Sequence, residues 1–374
     1  MKVLEISAHF SPNLGGVETH LLDLIKVLIK KNWQVFVLTY RPLSSEAKWS
    51  IYEKHHNLII FRLPWVPGLF YRLIHQPFLE FLYLFPGLFL VTPFLILIFN
   101  PEVINGHGLV AGFVSSFWGW IFKKRVIVTT HSIYSFPENG LYREFVKWIF
   151  SKSDFVLGLS KQAASEIKSL IGSAKVDNFI YWIDLNKFKI QDTKLRIKKR
   201  LGWEDKFIVL FVGRLVKEKG VIELLEAGTL WDKKITLIII GSGSLKKDVE
   251  KKCQKYKNII FLDRIDQNKM PLYYSGADVL IVPSTSEEGF GRVIIESLAC
   301  GTPVIGAKRG AISEAMNDSV GRFINVNPIN IKNEVEYFFT HPNELKQLAG
   351  NSREFAKRRY SEKNADKIIK AYTG

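Results

Sequence analysis

The sequence predicts an α/β fold built from two doubly wound parallel-sheet domains. Short apolar runs of strand length alternate with amphipathic runs of helical length, an order typical of parallel sheets that are covered by helices. The chain has 374 residues, of which 47% are hydrophobic and 24% are charged. This is a globular composition, and the length suits about two domains that each bury a core.

Charge and cysteine content limit the class of protein. The formal net charge of +16 is compatible with nucleic acid, an anionic membrane or an anionic substrate as a partner. No nucleic acid is expected, because the sequence contains no recognisable nucleic-acid-binding module. The two cysteines, Cys253 and Cys300, match neither a disulfide framework nor zinc-ligand spacing. A reduced cytoplasmic setting is therefore expected, and the first residues predict a strand and not a signal peptide.

The N-terminal half begins with a strand, a loop, a helix and a second strand, at Val3–Ser7, 8–16, Val17–Lys31 and Trp33–Thr39. This is the first unit of a doubly wound sheet, whose ligands lie beyond the carboxyl ends of the strands. Gly15 and Gly16 let a ligand approach the backbone closely, although an ordinary tight turn would explain them too. Further strands are predicted at Leu58–Leu63, Val103–Asn105, Arg125–Thr130 and Phe155–Leu159, and further helices at Leu109–Phe122, Leu141–Phe150 and Lys161–Ile171.

An apolar segment, Phe81–Phe99, approaches the length of a membrane span, which takes roughly 20 apolar residues. A full span is excluded, because it would place two parts of one sheet on opposite sides of a membrane. Pro86, Gly87 and Pro93 are expected to interrupt a continuous helix. Two interpretations stay open: a buried helical hairpin, and a monotopic patch over residues 64–99 that enters the membrane interface, which we favour. That patch would present interfacial rings and headgroup-binding cations, namely Trp65, Phe70, Tyr71, Phe78, Tyr83, Arg62 and Arg72.

The C-terminal half repeats the alternation of strands and helices. Its strands are predicted at Phe207–Val212, Thr236–Ile240, Asn258–Leu262, 278–282 and 303–306, with a helix at Val221–Leu230 and the last two helices at Glu344–Tyr360 and Ser361–Tyr372. Arg214 and Lys219 follow the first of these strands, where a guanidinium and an ammonium group can hold a diphosphate. The pair Gly241 and Gly243 is not a dinucleotide fingerprint, because the third glycine of that motif is replaced by Lys246.

The most informative stretch is Pro283–Gly301, P-S-T-S-E-E-G-F-G-R-V-I-I-E-S-L-A-C-G. Glu288 and Glu296 bracket a helix start at Gly289-Phe290-Gly291. The amides of a helix N-terminus carry about half a positive charge and favour phosphate, whereas carboxylates accept hydrogen bonds from hydroxyl groups. Phosphate with hydroxyls on either side describes a nucleotide sugar. Taken singly, each acid would be an ordinary solvated side chain.

The residues from Glu288 to Val304, E-G-F-G-x-x-x-x-E-S-L-A-x-G-x-P-V, resemble the signature of the retaining glycosyltransferases of family 4, which have the GT-B fold. The N-terminal loop H-F-S-P-N-L-G-G-V-E-T-H resembles the glycine loop of the same family. It is similar in particular to the catalytic subunit of the N-acetylglucosaminyltransferase that starts glycosylphosphatidylinositol anchors. The resemblance implies two Rossmann-like domains that face a central cleft, and transfer of a hexose or N-acetylhexosamine from a nucleotide diphosphate sugar to a lipid or glycan.

The same resemblance implies the domain limits. Residues 178–188 resemble the family hinge, with Trp182 where glycine is usual. We expect an N-terminal acceptor-side domain over 1–183, a C-terminal nucleotide-sugar domain over 184–355, and a last helix within 356–374 that crosses back to the first domain. Asp263 also stands where the family has a common glycine.

The resemblance assigns the site residues. The diphosphate is assigned to Arg214 and Lys219, the sugar hydroxyls to Glu288 and the ribose to Glu296. His131, in V-T-T-H-S, matches the family histidine close to the anomeric centre, with His9, His20 and His107 as weaker candidates. The remaining donor-binding candidates are Gly15, Gly16, Gly241, Gly243, Ile265, Gly289, Phe290 and Gly291. No cofactor or metal is expected, because the sequence contains no D-x-D triplet.

The expected partners are a nucleotide sugar donor, a lipid or glycan acceptor, and an anionic membrane surface. The expected location is cytoplasmic, peripheral or monotopic on the cytoplasmic membrane face. Two other classes stay open. One is a GT-B sugar-nucleotide epimerase or phosphorylase, and the other is an inactive sugar- or membrane-binding protein, which would release no nucleoside diphosphate. The sequence does not select the base or the sugar of the donor.

Overall fold

A computed structural model describes residues 1–13, 15–42, 48–65, 77–132, 136–137 and 139–374. The chain divides into two compact units. The first unit contains Met1–Tyr181 together with Glu362–Gly374, and the second contains Trp182–Ser361. Each unit has a sheet of mainly parallel strands with helices between them, so the predicted α/β class with two doubly wound sheets is confirmed.

The first unit contains eight strands and six described helices. The strands are β1 (Lys2–Ser7), β2 (Gln34–Tyr40), β3 (Tyr52–His55), β4 (Leu58–Leu63), β5 (Val103–His107), β6 (Arg125–Thr130), β7 (Phe155–Gly158) and β8 (Val176–Asn178). The helices are α1 (Gly16–Lys30), α2 (Pro77–Phe99), α3 (Gly108–Phe122), α4 (Leu141–Lys152), α5 (Lys161–Ile171) and, at the end of the chain, α14 (Ala365–Thr373).

The sheet of the first unit has the strand order β3-β4-β2-β1-β5-β6-β7-β8. Neighbouring strands are parallel, except that β3 runs antiparallel to β4. The order along the chain changes direction between β1 and β5. Ligands of doubly wound sheets bind beyond the carboxyl ends of the strands at such a point, so the ends of β1, β5 and β6 are the place to look for a site.

The second unit contains a six-stranded parallel sheet. Its strands are β9 (Phe207–Val212), β10 (Ile235–Ile240), β11 (Ile259–Phe261), β12 (Val279–Val282), β13 (Val304–Ala307) and β14 (Gly321–Ile324). Its helices are α6 (Lys194–Leu201), α7 (Val221–Gly228), α8 (Lys246–Lys255), α9 (Met270–Gly276), α10 (Arg292–Ala299), α11 (Ile312–Ala315), α12 (Pro328–Thr340) and α13 (Pro342–Arg359). The strand order is β11-β10-β9-β12-β13-β14, and it changes direction between β9 and β12.

Helix α2 corrects the prediction for the apolar segment. It is one continuous helix that contains both Pro86 and Pro93, so the expected interruption and the helical hairpin are wrong. Pro93 has no N–H to donate to the carbonyl of Phe89, one turn earlier. The indole Nε1 of Trp118, on α3, donates to that carbonyl at 2.8 Å instead. A neighbouring helix thus satisfies a group that the proline leaves unpaired, which no periodicity within α2 reveals.

One face of α2 packs into the core of the first unit, and the other face is exposed. Tyr83, Leu84, Leu88, Leu95 and Ile96 lie in the core cluster with β1, β2 and α3. The exposed face consists of large apolar side chains that are 40–69% accessible, namely Leu79, Leu82, Leu90, Phe94, Leu97 and Ile98. Among the helices in the described ranges, α2 is the one long and apolar enough to cross a membrane by length and composition.

The described residues of the predicted interfacial belt do not form one, and Tyr83 lies in the core cluster. Trp65 packs against the rings of Tyr40 and Tyr83, at centroid distances of 5.4 and 5.3 Å, and therefore belongs to the core. Arg62 is buried, and its Nε donates to Glu53 Oε1 at 2.8 Å, so it is not a headgroup-binding cation. Phe70, Tyr71 and Arg72 lie outside the described residues, as does the side chain of Phe78.

Candidate functional site

The second unit brings four predicted site residues to the ends of two adjacent strands. Strands β9 and β12 pair in parallel, so the loops that follow them, 213–220 and 283–291, leave the sheet side by side. The loops are bonded to each other: the amide of Thr285 donates to the carbonyl of Glu218 at 2.9 Å, and its hydroxyl donates to the carbonyl of Lys217 at 3.2 Å. Arg214 and Lys219 lie on the first loop, and Glu288 and Phe290 on the second.

Lys219 and Glu288 form an ion pair at the centre of this region. Their side chains are 24% and 12% exposed, and the ammonium group contacts Glu288 Oε1. The hydroxyl of Ser284 donates to the same oxygen at 2.5 Å. Burial alone would raise the pKa of Glu288. Lys219 and Ser284, helped by the charge of Arg214, outweigh burial and lower that pKa below its usual range. Glu288 is therefore a carboxylate at neutral pH and accepts hydrogen bonds.

Arg214 is exposed at the end of β9, on the same side as Lys219. Its charge acts on Glu288 without a direct hydrogen bond to it. Two cations of different geometry thus stand beside one carboxylate: a planar fork with five donors, and a point charge with three. The two cations together supply the kinds of donor that bind a bidentate oxyanion such as a diphosphate.

Glu296 lies in the second turn of α10 and is almost fully buried. The phenol of Tyr274 donates to its Oε2 at 2.8 Å, and Arg292 Nε donates to its Oε1 at 3.3 Å. Burial raises the pKa of Glu296, although both donors oppose that shift. The sequence did not single out Tyr274 or Arg292. Their positions, on α9 and one turn before Glu296, could have indicated partners for a buried acid.

The glycines of this site permit close approach of backbones. Gly220 has φ 67°, and a Cβ on it would come within 1.8 Å of the carbonyl oxygen of Pro283. Gly241 has φ 148°, and its Cβ would meet the carbonyl of Gly213 at the same distance. The predicted donor-binding glycine at position 243 would meet the carbonyl of Leu215 at 2.4 Å. These three glycines pack the loops after β9, β10 and β12 against one another.

Helix α10 begins directly after Gly289-Phe290-Gly291, as predicted. Gly291 caps the helix in the left-handed region at φ 70°, and Gly289 precedes it in a half-buried position. Phe290 is buried and packs edge-to-face on Tyr360 at 6.0 Å. Phe290 thus anchors this turn in the second unit.

The loop after β11 carries the predicted base-contacting residue, Ile265, which is half-buried. Asp263 has φ 52°, a left-handed conformation that explains why glycine is common there. Its carbonyl accepts the amide of Gly241 at 2.9 Å, and its carboxylate pairs with Lys246. This loop is thereby joined to the glycine turn after β10.

In the first unit, Gly15 and Gly16 begin α1 in exposed positions. Gly15 is extended, with φ 179°, and neither glycine is in the left-handed region, so the backbone conformation itself does not require glycine. A Cβ on Gly16 would lie 3.8 Å from Tyr181 Oη, an ordinary contact. A Cβ on Gly15 would lie 2.3 Å from Oε2 of Glu18, so a side chain at position 15 would displace the Glu18 carboxylate.

His131 directly follows β6 and is buried with both ring nitrogens bonded. Its Nε2 lies 2.9 Å from Nδ1 of His107, and its Nδ1 lies 3.1 Å from the hydroxyl of Tyr181. Burial lowers the pKa of His131 well below its ordinary value, so the ring is neutral. From the sequence, His107 was a weaker candidate than His131, and Tyr181 was not singled out. His107 ends β5, which pairs with β6, and this position indicates that its side chain lies near His131.

Of the other histidines, His9 is buried enough that its pKa falls to about 4, so it is neutral at physiological pH. His20, on α1, stacks between Phe179 and Tyr181 at centroid distances of 5.0 and 4.8 Å. His20 also lies beside His131, at a centroid distance of 5.4 Å.

Comparisons with known proteins agree with this architecture. The family model described as Glycosyltransferase Family 4 matches residues 14–178, and the model described as Glycosyl transferases group 1 matches residues 193–355. Together the two models cover most of both units. The chain is therefore a glycosyltransferase with the GT-B fold. It belongs to glycosyltransferase family 4, as the resemblance of its motifs predicted.

Individual relatives are distant but cover much of the chain. An uncharacterized glycosyltransferase of Methanocaldococcus jannaschii is 24% identical over 86% of this chain and 84% of that protein. The phosphatidylinositol N-acetylglucosaminyltransferase gpi3 subunit of Schizosaccharomyces pombe is 21% identical over 85% of this chain and 68% of its own length. The solved structure of Anabaena HepE in complex with UDP and glucose superposes with a TM-score of 0.80 at 20% identity, over 100% of this chain and 99% of that one.

Proposed function

We propose that the chain transfers a hexose or N-acetylhexosamine from a nucleotide diphosphate sugar to a membrane lipid or lipid-linked glycan, with retention at the anomeric carbon. The observation that carries this proposal is the group at the ends of β9 and β12. Two cations, Arg214 and Lys219, flank the ionised carboxylate of Glu288. That is the charge pattern needed to hold a diphosphate beside sugar hydroxyls.

In this mechanism Arg214 and Lys219 neutralise the departing nucleoside diphosphate. The ammonium group of Lys219 has three N–H donors, so it can hold Glu288 and a phosphate oxygen together. As the bond between the anomeric carbon and the phosphate oxygen breaks, negative charge grows on that oxygen, where the two cations stabilise it. The departing oxygen takes the proton of the acceptor hydroxyl on the same face of the sugar, and the acceptor oxygen bonds the anomeric carbon.

Other predicted residues take supporting roles in the proposal. Glu288 accepts hydrogen bonds from sugar hydroxyls, and Glu296 accepts them from the ribose. The backbone around Ile265 meets the base, and the amides at Phe290 add positive charge. The first unit is the acceptor side, and it also carries the predicted donor contacts Gly15, Gly16 and His131.

No metal cofactor is included in the proposal. In the described ranges, no group of three or more His, Cys, Asp or Glu side chains is arranged to hold a metal ion. Chelation is the direct test, and transfer is expected to continue at an unchanged rate in excess EDTA. Loss of transfer that added Mg²⁺ or Mn²⁺ restores would contradict metal independence.

The donor is tested with a panel of UDP-, GDP- and ADP-sugars. A donor that binds the native state raises its thermal stability, by about 2.7 kcal/mol at a concentration 100 times Kd. The stabilising donor is then incubated with enzyme, and the release of nucleoside diphosphate is followed. NMR of the product gives the anomeric configuration. An inverted product would contradict retention, and stabilisation without release of nucleoside diphosphate from any donor would favour the inactive binding protein.

A lipid acceptor is proposed from the exposed face of α2. A stripe of six large apolar side chains along one helix face is suited to an acyl boundary. Cations stand at the end of this helix: Lys2 Nζ donates to the carbonyl of Phe99 at 3.2 Å, and Lys124 donates to Asn100, with the exposed Lys123 beside it. Cations next to an apolar stripe suit anionic headgroups, on the cytoplasmic face in this proposal. The name of the fission-yeast relative, a phosphatidylinositol N-acetylglucosaminyltransferase subunit, is consistent with such an acceptor.

Flotation with vesicles tests the membrane surface. Wild type is expected to float with phosphatidylcholine vesicles that contain phosphatidylglycerol, and less with phosphatidylcholine alone. Phe94→Glu and Leu97→Glu should abolish flotation. Leu195→Glu is the matched control, because Leu195 is 71% exposed on α6 of the second unit. Equal flotation of Leu97→Glu and Leu195→Glu, or no flotation of wild type at low salt, would overturn this part of the proposal.

A further inference from the structure

A buried chain of polar side chains lies at the switch point of the first sheet and is not used by the roles proposed above. It begins at Glu5 in the middle of the sheet and passes through His107 to His131 and Tyr181. The side chains of Glu5 and His107 are 0% exposed. Buried polar groups of this kind are costly unless they are fully paired, so their order carries information.

Glu5 is the acceptor for three donors. Tyr372, on α14, donates its phenol proton to Oε1 at 2.8 Å. Asn105 Nδ2 lies 3.0 Å from Oε2, and His107 Nε2 lies 2.8 Å from the same oxygen. The orientation of the Asn105 amide is fixed, because its Oδ1 accepts from the Thr129 hydroxyl at 2.9 Å and its NH₂ group must then face Glu5. A carboxylate is the form of Glu5 that accepts all three bonds.

The positions of the protons follow from this acceptor. In its neutral form, His107 donates Nε2–H to Glu5 and carries a lone pair on Nδ1. That lone pair accepts Nε2–H of His131 across 2.9 Å. Nδ1 of His131 is then an acceptor as well, and Tyr181 donates its hydroxyl proton to it across 3.1 Å. Each donor points toward Glu5, and every bond has one donor and one acceptor.

We propose that Glu5 and His107 are positioning residues of the transfer site, which hold His131 as a neutral Nε2–H imidazole that in turn orients Tyr181. Tyr181 matters for the site because its Oη lies beneath Gly16, 3.8 Å from where a Cβ would be. The chain of bonds therefore ends beside the glycine turn at Gly16. His131 acts by position in this arrangement and does not exchange a proton during transfer. The inference rests on the proposed function for its link to activity, but the tautomers can be measured without any donor.

NMR of the full chain with ¹⁵N-labelled histidine gives the tautomers directly. Wild type is expected to show Nε2–H neutral rings for His107 and His131. In Glu5→Gln the carboxylate is lost, and His131 is expected to shift toward the Nδ1–H form. His341→Gln, which removes an exposed ring stacked on Tyr337 in the second unit, is the control that should leave these signals unchanged. A wild-type His131 with Nδ1–H, or a doubly protonated His107, would overturn the proposal.

Activity supplies a second measurement with the best donor from the panel. His107→Gln removes the link between Glu5 and His131, and kcat is expected to fall by at least about tenfold, as a misplaced group in a transfer site can cost that much. The donor KM should stay within about twofold of wild type, since Arg214 and Lys219 are untouched. An unchanged kcat in a variant with native near-ultraviolet circular dichroism would overturn the positioning role. If wild type turned over no sugar donor while the tautomers were as expected, the proposed function would fail and the tautomer assignment would stand.

Discussion

Replacing Lys219 by alanine tests the charge arrangement at the ends of β9 and β12. The substitution removes one of two cations proposed to stabilise the leaving diphosphate. Loss of one such preorganised donor costs about 2.7–4 kcal/mol of transition-state stabilisation, which is about a 10²–10³-fold fall in kcat. The assay is release of nucleoside diphosphate at saturating donor. Lys217→Ala is the matched control, because Lys217 is exposed on the same turn and is not in an ion pair that the structure describes.

Lys219→Ala should also lower the free energy of unfolding at neutral pH. Without Lys219, the largely buried carboxylate of Glu288 keeps only Ser284 as a hydrogen-bond donor and Arg214 as a nearby charge. An uncompensated buried group costs about 1–3 kcal/mol. The lowered pKa of Glu288 means that the stabilising pair is fully present above the unfolded carboxyl pKa of about 4.3 and is lost as pH falls through the lower folded value. The difference in unfolding free energy between wild type and Lys219→Ala should therefore be full at pH 7 and shrink below about pH 4.

Two results would refute this reasoning. Turnover of Lys219→Ala within about threefold of wild type, with the fold retained, would remove Lys219 from the diphosphate site, since the expected loss is at least about 10²-fold. A stability difference that grew on acidification would show that Glu288 is not held as a carboxylate by Lys219.

Three further predictions concern ribose binding, loop packing and the proline-containing helix. Glu296→Gln should raise the donor KM with little change in kcat, because a ribose contact is made equally before and during transfer. With a donor that lacks the 2′-hydroxyl of the ribose, the variant and the wild type should have the same KM. Gly220→Ala should lower the melting temperature, since alanine at φ 67° costs about 1–2 kcal/mol before the clash with Pro283 is counted, whereas Gly350→Ala, in open space on a helix, should raise it. Trp118→Phe should destabilise by about 1–3 kcal/mol by leaving a carbonyl of α2 unpaired, and the exposed Trp120→Phe should not; equal melting temperatures for the two tryptophan variants would contradict this.

Much of the fold was predictable because periodicity is a local property. Strands β4, β6 and β9 and helix α5 have the predicted bounds, since each is a clean apolar or amphipathic run between polar turns. The short strands β3, β8 and β14 were not predicted. They have three or four residues with few buried side chains, and pairing with a neighbour defines them more than composition does.

The site was predictable to the extent that it is encoded in continuous motifs. Glu288 and Lys219 come from two such motifs, and strand pairing brings them into contact. The partners of Glu296 and of His131 were missed, because Tyr274 and Tyr181 reach them from other elements and carry no motif of their own. Glu5 is the extreme case: an acid inside an apolar strand indicates a buried partner but does not say which of many residues supplies it.

The position of Glu5 has a consequence for the order in which the chain becomes structured during synthesis. Glu5 leaves the ribosome with the first strand, but one of its three donors, Tyr372, follows 367 residues later in the chain. The second unit, Trp182–Ser361, is contiguous and has all its residues before that point. The unit that is begun first is therefore completed last. A nascent chain stalled before residue 362 holds a buried carboxylate that still lacks a donor, together with a sheet without its closing helix.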